Sequence, residues 1–120
     1  MDIAAGIAVG AIAALHVYIL VLEMFLWRTE RGRQAFGTTP EFAEASAPMA
    51  ANQGLYNGFL AAGLIWGLIA SDPTGYAARI FFLICVMVAG LYGAITVNRR
   101  ILLIQTVPAG IALLLVLLSR

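Results

Sequence analysis

Long runs without a formal charge, separated by short charged segments, dominate the pattern of this chain. These runs are residues 3–22, 45–71, 80–98 and 101–119. Because an α-helix rises 1.5 Å per residue, about 20 apolar residues cross the hydrocarbon of a bilayer. The runs do not alternate apolar and polar positions, as strands of membrane barrels do. The pattern therefore predicts four transmembrane helices, near residues 3–27, 49–70, 78–98 and 101–118.

The composition agrees with a membrane protein. Of the 120 residues, 62% are hydrophobic and 11% charged, and the mean hydropathy is +0.96. Soluble domains are usually about 45–50% apolar and about 25% charged. This high apolar content excludes disorder. The single cysteine excludes a disulfide-stabilised secreted domain, and the net charge of +1 excludes a nucleic-acid partner. We predict an all-α integral membrane four-helix bundle, forming a single domain over residues 1–120 with the lipid bilayer as its partner.

The arginines predict an orientation. The segments after the first and third helices carry five, whereas the other side of an up-and-down bundle carries Arg79 and Arg120. Cytoplasmic loops are enriched in positive charge, so loop 28–48 and the turn near residue 99 are predicted to be cytoplasmic. Both termini are then outside the cytoplasm, and the expected location is the inner cell membrane.

Two further local patterns concern loop 28–48 and the faces of the second helix. Thr39-Pro40-Glu41 can begin a short helix within loop 28–48, with Thr39 as its N-cap. A solvated loop and a short interfacial helix both remain open there. Glycine and alanine at four-residue spacing predict close helix packing in lipid, in the rows Gly54–Gly58–Ala62 and Gly63–Gly67.

Ionisable residues inside the first helix are candidate functional groups, because they are costly in a membrane. His16 and Glu23 are two turns apart, so they share one face about 10 Å apart along the axis, and Trp27 continues the same stripe. This separation is too large for one metal ion, so we predict no metal site. Two interpretations remain: hydrogen bonds that join helices, or a ligand-binding or proton-handling role.

The second helix begins with the densest polar cluster of the chain. Asn52, Gln53, Tyr56 and Asn57 occupy an arc of roughly 140° at about 100° per residue. Lipid does not satisfy such groups, so they must face the bundle interior, a subunit interface or a cavity. With Glu23 at similar depth and His16 deeper, they form our candidate site for a small lipophilic ligand, open to the cytoplasmic leaflet. A purely structural hydrogen-bond network is the alternative.

Several segments together resemble a known family. These segments are His16, Glu23 and Trp27, the block NQGLYNGFLA at 52–61, the block AGLYGAIT at 89–96, Gln105 and Pro108. With them the chain resembles the small membrane proteins of the domain-of-unknown-function 1304 (DUF1304) family, which have four helices and no assigned activity. The resemblance implies the fold and the location but no reaction and no cofactor.

Two weaker similarities suggest different functions. The membrane-associated eicosanoid and glutathione (MAPEG) proteins have four helices and form trimers, which implies a homo-oligomer, although the Glu and Arg of their second helix are missing here. Small multidrug-resistance transporters are of similar length and carry a Glu in the first helix, as Glu23 does. The function predicted is binding or modification of a lipophilic molecule. Proton-coupled transport and a structural oligomeric role are the alternatives, and whether the chain is an enzyme stays open.

Overall fold

The computed structural model describes residues 1–119, and every regular element in that range is helical. There are five α-helices, with a π-helix, Leu102–Thr106, before the last of them. The α-helices are α1 Ile3–Met24, α2 Glu30–Phe36, α3 Pro40–Ile69, α4 Thr74–Thr96 and α5 Val107–Leu118. The all-α prediction is therefore confirmed, whereas several helix bounds differ from the predicted ones.

The first helix is shorter than predicted. Its start is capped by Asp2, whose Oδ1 accepts a hydrogen bond from the backbone N–H of Ala5 at 2.8 Å. It ends at Met24, not at residue 27, so Trp27 does not continue the stripe of His16 and Glu23. Trp27 lies in the turn before α2, where its ring packs on Phe36 at 4.9 Å between centroids.

The third helix begins nine residues earlier than the predicted second span. Thr39 is its cap, as the sequence indicates, and its Oγ1 accepts from the backbone N–H of Phe42 at 3.1 Å. The helix does not stop after a short segment but continues through Pro48 to Ile69. A proline inside a helix removes one backbone hydrogen bond, but α3 continues on both sides of Pro48. Loop 28–48 is thus largely helical, since it holds α2 and the start of α3.

The last two predicted spans also differ at their starts. α4 begins at Thr74, four residues early, because Asp72 Oδ1 accepts from the backbone N–H of Tyr76 at 3.0 Å. The predicted helix 101–118 is divided into the π-helix and α5. Pro108 explains the division, since it has no N–H to continue the α-helical pattern and its ring crowds the carbonyl four residues earlier.

The contacts of the chain group into two units. One contains residues 1–13 and the chain from Leu60 onward. Its core is a set of fully buried side chains: Val9, Leu64, Leu83, Val86 and Val116. Small residues allow close packing, since a Cβ on Gly63 would collide with the ring of Phe82 and one on Gly90 with Thr106. The predicted single domain stays a prediction.

The other unit, Ala14–Phe59, is held by a close approach of α1 and α3. A Cβ on Gly54 would lie 2.6 Å from Met24 Cγ, and one on Gly58 would lie 2.7 Å from Leu20 Cδ1. These distances are shorter than real Cβ contacts, so a larger residue at position 54 or 58 would require Met24 or Leu20 to move. The close packing predicted from the Gly54–Gly58 row is confirmed within this unit.

Two helices, α1 and α4, are long and apolar enough to cross a membrane. Only 33% of the most apolar window of each is buried, whereas the core helix of a soluble protein is mostly buried. The apolar segment Leu102–Leu118 is shorter. Arg120, one of the arginines counted for orientation, lies outside the described residues.

Candidate functional site

A buried hydrogen bond joins α1 and α3 at the predicted site. The Nδ2 of Asn57 donates to Glu23 Oε1 at 2.6 Å. Glu23 is 4% exposed and Asn57 is 8% exposed. Glycine at position 54 positions this pair, since Cβ of Glu23 would be only 3.1 Å from a Cβ there. Two members of the predicted cluster, 34 residues apart in the sequence, are therefore brought together.

His16 is the most deeply placed ionisable side chain of α1. It is fully buried, as are the largest apolar core side chains. It lies two turns before Glu23 on the same helix, about 10 Å along the axis, so the two groups are separate. The structure keeps His16 inside the protein, as the cost of an ionisable group in lipid predicts.

The other three predicted residues occupy a different surface. Asn52, Gln53 and Tyr56 are exposed, and with Pro48 and Met49 they line a cavity of about 530 Å³. Positions 48, 52 and 56, like 49 and 53, are one turn apart, so all five side chains share one face of α3. The Tyr56 ring also meets Phe59 edge to face, with 5.5 Å between centroids. The face is polar and aromatic on a helix that is otherwise largely apolar.

The six predicted residues thus divide between buried positions and a surface cavity. The two groups meet at Gln53 and Asn57, which are one turn apart on α3, about 6 Å along the axis. Asn57 also donates to the backbone carbonyl of Gln53, at 3.3 Å. The exposed residue Gln53 is thus connected through Asn57 to the buried carboxyl of Glu23.

The arginines near α2 do not pair with Glu23. Arg28 forms a salt bridge with Glu44 at 2.8 Å, and Arg31 donates to the hydroxyl of Tyr18 at 3.0 Å. Arg33 donates to the backbone carbonyl of Arg28 at 2.6 Å. Asn57 is consequently the partner of Glu23 that the structure shows.

Ser46 completes the packing around the start of α3. Its hydroxyl accepts from Trp27 Nε1 at 3.1 Å and donates to the carbonyl of Phe42 at 2.7 Å. Within residues 1–119 there is no group of three His, Cys, Asp or Glu side chains that could hold a metal ion. The six residues of the candidate site offer three amides, a phenol, a carboxyl and an imidazole.

One buried charge was not singled out from the sequence. Arg79 lies inside α4 and is 3% exposed, whereas a helix starting at residue 78 places it at a membrane boundary. The signal for the earlier start is Asp72-Pro73, since Pro73 is the N-cap of α4 and the carboxylate just before it accepts from a backbone N–H of the first turn.

Comparison with known proteins identifies the family. The family described as "Protein of unknown function (DUF1304)" matches residues 10–117. The chain belongs to the DUF1304 family. A relative in Lactococcus lactis subsp. lactis (strain IL1403), the uncharacterized protein YpaA, is 32% identical over 110 residues, which cover 90% of this chain and 89% of the relative. No solved structure matches the chain significantly.

Membership of the DUF1304 family confirms the resemblance inferred from the sequence blocks. The matched residues include Glu23, the block 52–61 and Gln105. The comparisons do not extend to the MAPEG proteins, so that similarity and the trimer it implies stay hypotheses. Because the family has no assigned activity, the function must be argued from the residues of the site.

Proposed function

We propose that this DUF1304 protein is a multi-pass protein of the inner cell membrane that binds a small lipophilic molecule carrying a polar group. The binding face is the cavity on α3 lined by Pro48, Met49, Asn52, Gln53 and Tyr56. The observation that carries the proposal is the exposure of two amides and a phenol together in a cavity of about 530 Å³. Cavities of this volume are typical of small-molecule sites.

The energetic argument concerns the unsatisfied amides. An amide moved from water into an apolar medium without a hydrogen-bond partner is unfavourable by several kcal/mol. Asn57 has such a partner in Glu23, whereas Asn52 and Gln53 are exposed. A ligand that accepts and donates hydrogen bonds there would satisfy both amides while its apolar part stays in the lipid.

The lining also limits the chemistry of the ligand. None of the five lining residues carries a charge, so a neutral hydroxyl, carbonyl or amide group suits the site better than an ion. The Asn and Gln side chains each offer a donor and an acceptor. Pro48, Met49 and the ring of Tyr56 supply contact for an apolar body. Met49, which is 76% exposed, is flexible enough to adapt to its shape.

The experiment that tests this proposal is native mass spectrometry of the protein extracted from its own membranes in mild detergent. We expect a bound molecule of discrete mass on the wild type. The double variant Asn52→Leu/Gln53→Leu should lose it without a lower melting temperature, because both side chains are exposed. The control Leu55→Ala changes an exposed residue of the same helix outside the cavity and should keep it.

Two results would contradict ligand binding at α3. One is a wild type that carries no small molecule even after incubation with a lipid extract of the source membrane. The other is retention of the bound mass by the double variant. A structural role of the amides would instead lower the melting temperature of the double variant.

Glu23 favours proton-coupled transport as a second candidate function. It is a buried carboxyl within an apolar helix, and such groups mark proton relays in membrane transporters. In proteoliposomes a transporter would move a lipophilic cation against a pH gradient, and Glu23→Gln would abolish the movement. Equal uptake by wild type and Glu23→Gln would leave ligand binding as the better candidate.

A further inference from the structure

A second cavity lies in the unit formed by residues 1–13 and the chain from Leu60 onward. Its volume is about 440 Å³, and its lining residues are Met1, Asp72, Pro73, Tyr76, Arg79 and Ser119. None of these residues belongs to the α3 cavity. The lining combines a guanidinium, a carboxylate and a hydroxyl with apolar surface from Met1, Pro73 and the Tyr76 ring.

The guanidinium of Arg79 is held in place from several sides. Its Nη1 donates to the backbone carbonyl of Gly67 at 2.7 Å, in the last turn of α3. Glycine at 67 permits this approach, since a Cβ there would lie 2.8 Å from Arg79 Cγ. The guanidinium carbon lies 5.9 Å from the centroid of the Tyr76 ring. The side chain, which is 3% exposed, therefore offers a positioned positive charge in the wall of the cavity.

The hydrogen bonds of this charge are incomplete. Nη2 lies 3.3 Å from Asp72 Oδ1, whereas charge-assisted N–H···O bonds are usually about 2.7–2.9 Å. The same oxygen accepts from the backbone N–H of Tyr76, at 3.0 Å, in the first turn of α4. Nε is buried and has no hydrogen-bond partner within the described residues. Buried polar atoms are normally paired, so a donor left over on a buried charge points to a ligand.

We propose that this cavity binds a phosphate group at Arg79. Nε and Nη2 form one edge of the guanidinium, and phosphate oxygens bind such an edge with two parallel hydrogen bonds. The carboxylate of Asp72 is 58% exposed and can turn into solvent, whereas Arg79 is fixed. The phosphate is free inorganic phosphate or the headgroup of a phospholipid, whose apolar part would contact Pro73 and the ring of Tyr76.

The position of Arg79 along α4 suits either source. It is five residues from the helix start at Thr74, about 7.5 Å along the axis. If α4 crosses a membrane, this depth is near the headgroups, and the first turn stays within reach of water. The proposal does not depend on ligand binding at α3.

The test uses the full chain in detergent and measures thermal stabilisation and binding. The probes are inorganic phosphate, and mixed micelles containing phosphatidylglycerol compared with micelles containing diacylglycerol. We expect Arg79→Lys to weaken phosphate binding at least about tenfold, since lysine cannot form the two-donor edge. The matched control is Arg100→Gln, which removes an exposed arginine and should bind as the wild type does.

Asp72→Asn keeps the test decisive if Arg79→Lys does not fold. Asparagine also caps helices, so the start of α4 is preserved while the competing negative charge is removed. We expect this variant to bind the phosphate group about three- to tenfold more tightly. If Asp72 and Arg79 form only a structural ion pair, Asp72→Asn should lower stability with no gain in binding.

The two sources give different results in the same experiment. Stabilisation by inorganic phosphate identifies a free-phosphate site, and stabilisation by phosphatidylglycerol but neither by diacylglycerol nor by inorganic phosphate identifies a lipid headgroup site. The proposal is overturned if neither probe binds. It is also overturned if Asp72→Asn binds no more tightly than the wild type.

Discussion

At the residue scale, the Glu23–Asn57 hydrogen bond is a buried side-chain contact between α1 and α3. Both side chains are buried, and the donor–acceptor distance is 2.6 Å. Removal of one partner leaves the other buried without a hydrogen bond, which usually costs about 1–3 kcal/mol. Removal of both partners leaves no unsatisfied group. The pair should therefore show strong energetic coupling.

We expect Asn57→Leu to lower the free energy of unfolding in detergent by about 1–3 kcal/mol, because it leaves Glu23 without its partner. The double variant Glu23→Leu/Asn57→Leu should be more stable than Asn57→Leu alone. A double-mutant cycle measured by chemical denaturation gives the coupling. Simple additivity of the two single changes would contradict a direct bond between these side chains.

At the scale of elements, the contact between α1 and α3 depends on glycine rather than on large apolar side chains. Cβ of residue 54 has no room, because Met24, Glu23 and the carbonyl of Leu20 surround it. Gly10, which lies on α1, has nothing within 4 Å of the position a Cβ would take. Alanine substitutions at positions 54 and 10 therefore separate the effect of helix packing on stability from the effect of helix propensity.

Gly54→Ala should destabilise the protein, since the new methyl group would lie 2.6 Å from Met24 Cγ and 3.1 Å from Glu23 Cβ, so that α1 or the Met24 side chain would have to move. Gly10→Ala should be neutral or stabilising by up to about 1 kcal/mol, because alanine favours a helix and meets no atom there. Thermal unfolding in detergent measures both. Equal behaviour of the two variants would show that Gly54 does not set the helix contact.

At the scale of the whole molecule, the exposed apolar surface needs a membrane or another covering. Many large apolar side chains are largely exposed, such as Ile3 at 81% and Ile95 at 83%. Large exposed apolar surfaces mark membrane or protein contacts. The arginines at positions 28, 31, 33, 99 and 100 supply the charge asymmetry for an orientation.

We expect the protein to stay in the membrane pellet after an alkaline carbonate wash, and both termini to lie outside the cytoplasm. Reporter fusions at the two termini and at Gly37, in the turn after α2, give the orientation. A fusion at Gly37 should report the cytoplasm, and both terminal fusions should report the outside. A cytoplasmic signal from either terminus would overturn the orientation, and release into the wash would overturn the membrane location.

The sequence by itself determined the helical class, the family and the identity of the polar residues. Charge-free, largely apolar runs of about 20 residues indicate long apolar helices. Thr39-Pro40 marks a helix start by local chemistry that needs no tertiary contact. Periodicity also placed Asn52, Gln53 and Tyr56 on one face of a helix. These are properties of neighbouring residues, and the sequence contains them directly.

Tertiary structure decided which polar groups pair and which remain exposed. Asn57 and Asn52 are both amides of one helical arc, yet only Asn57 reaches Glu23, because Gly54 brings α1 close on that side. Arg79 is buried because α4 starts at Thr74 and Gly67 admits its side chain, contacts that charge counting along the chain does not contain. Burial and pairing depend on residues far apart in sequence, so only the folded chain specifies them.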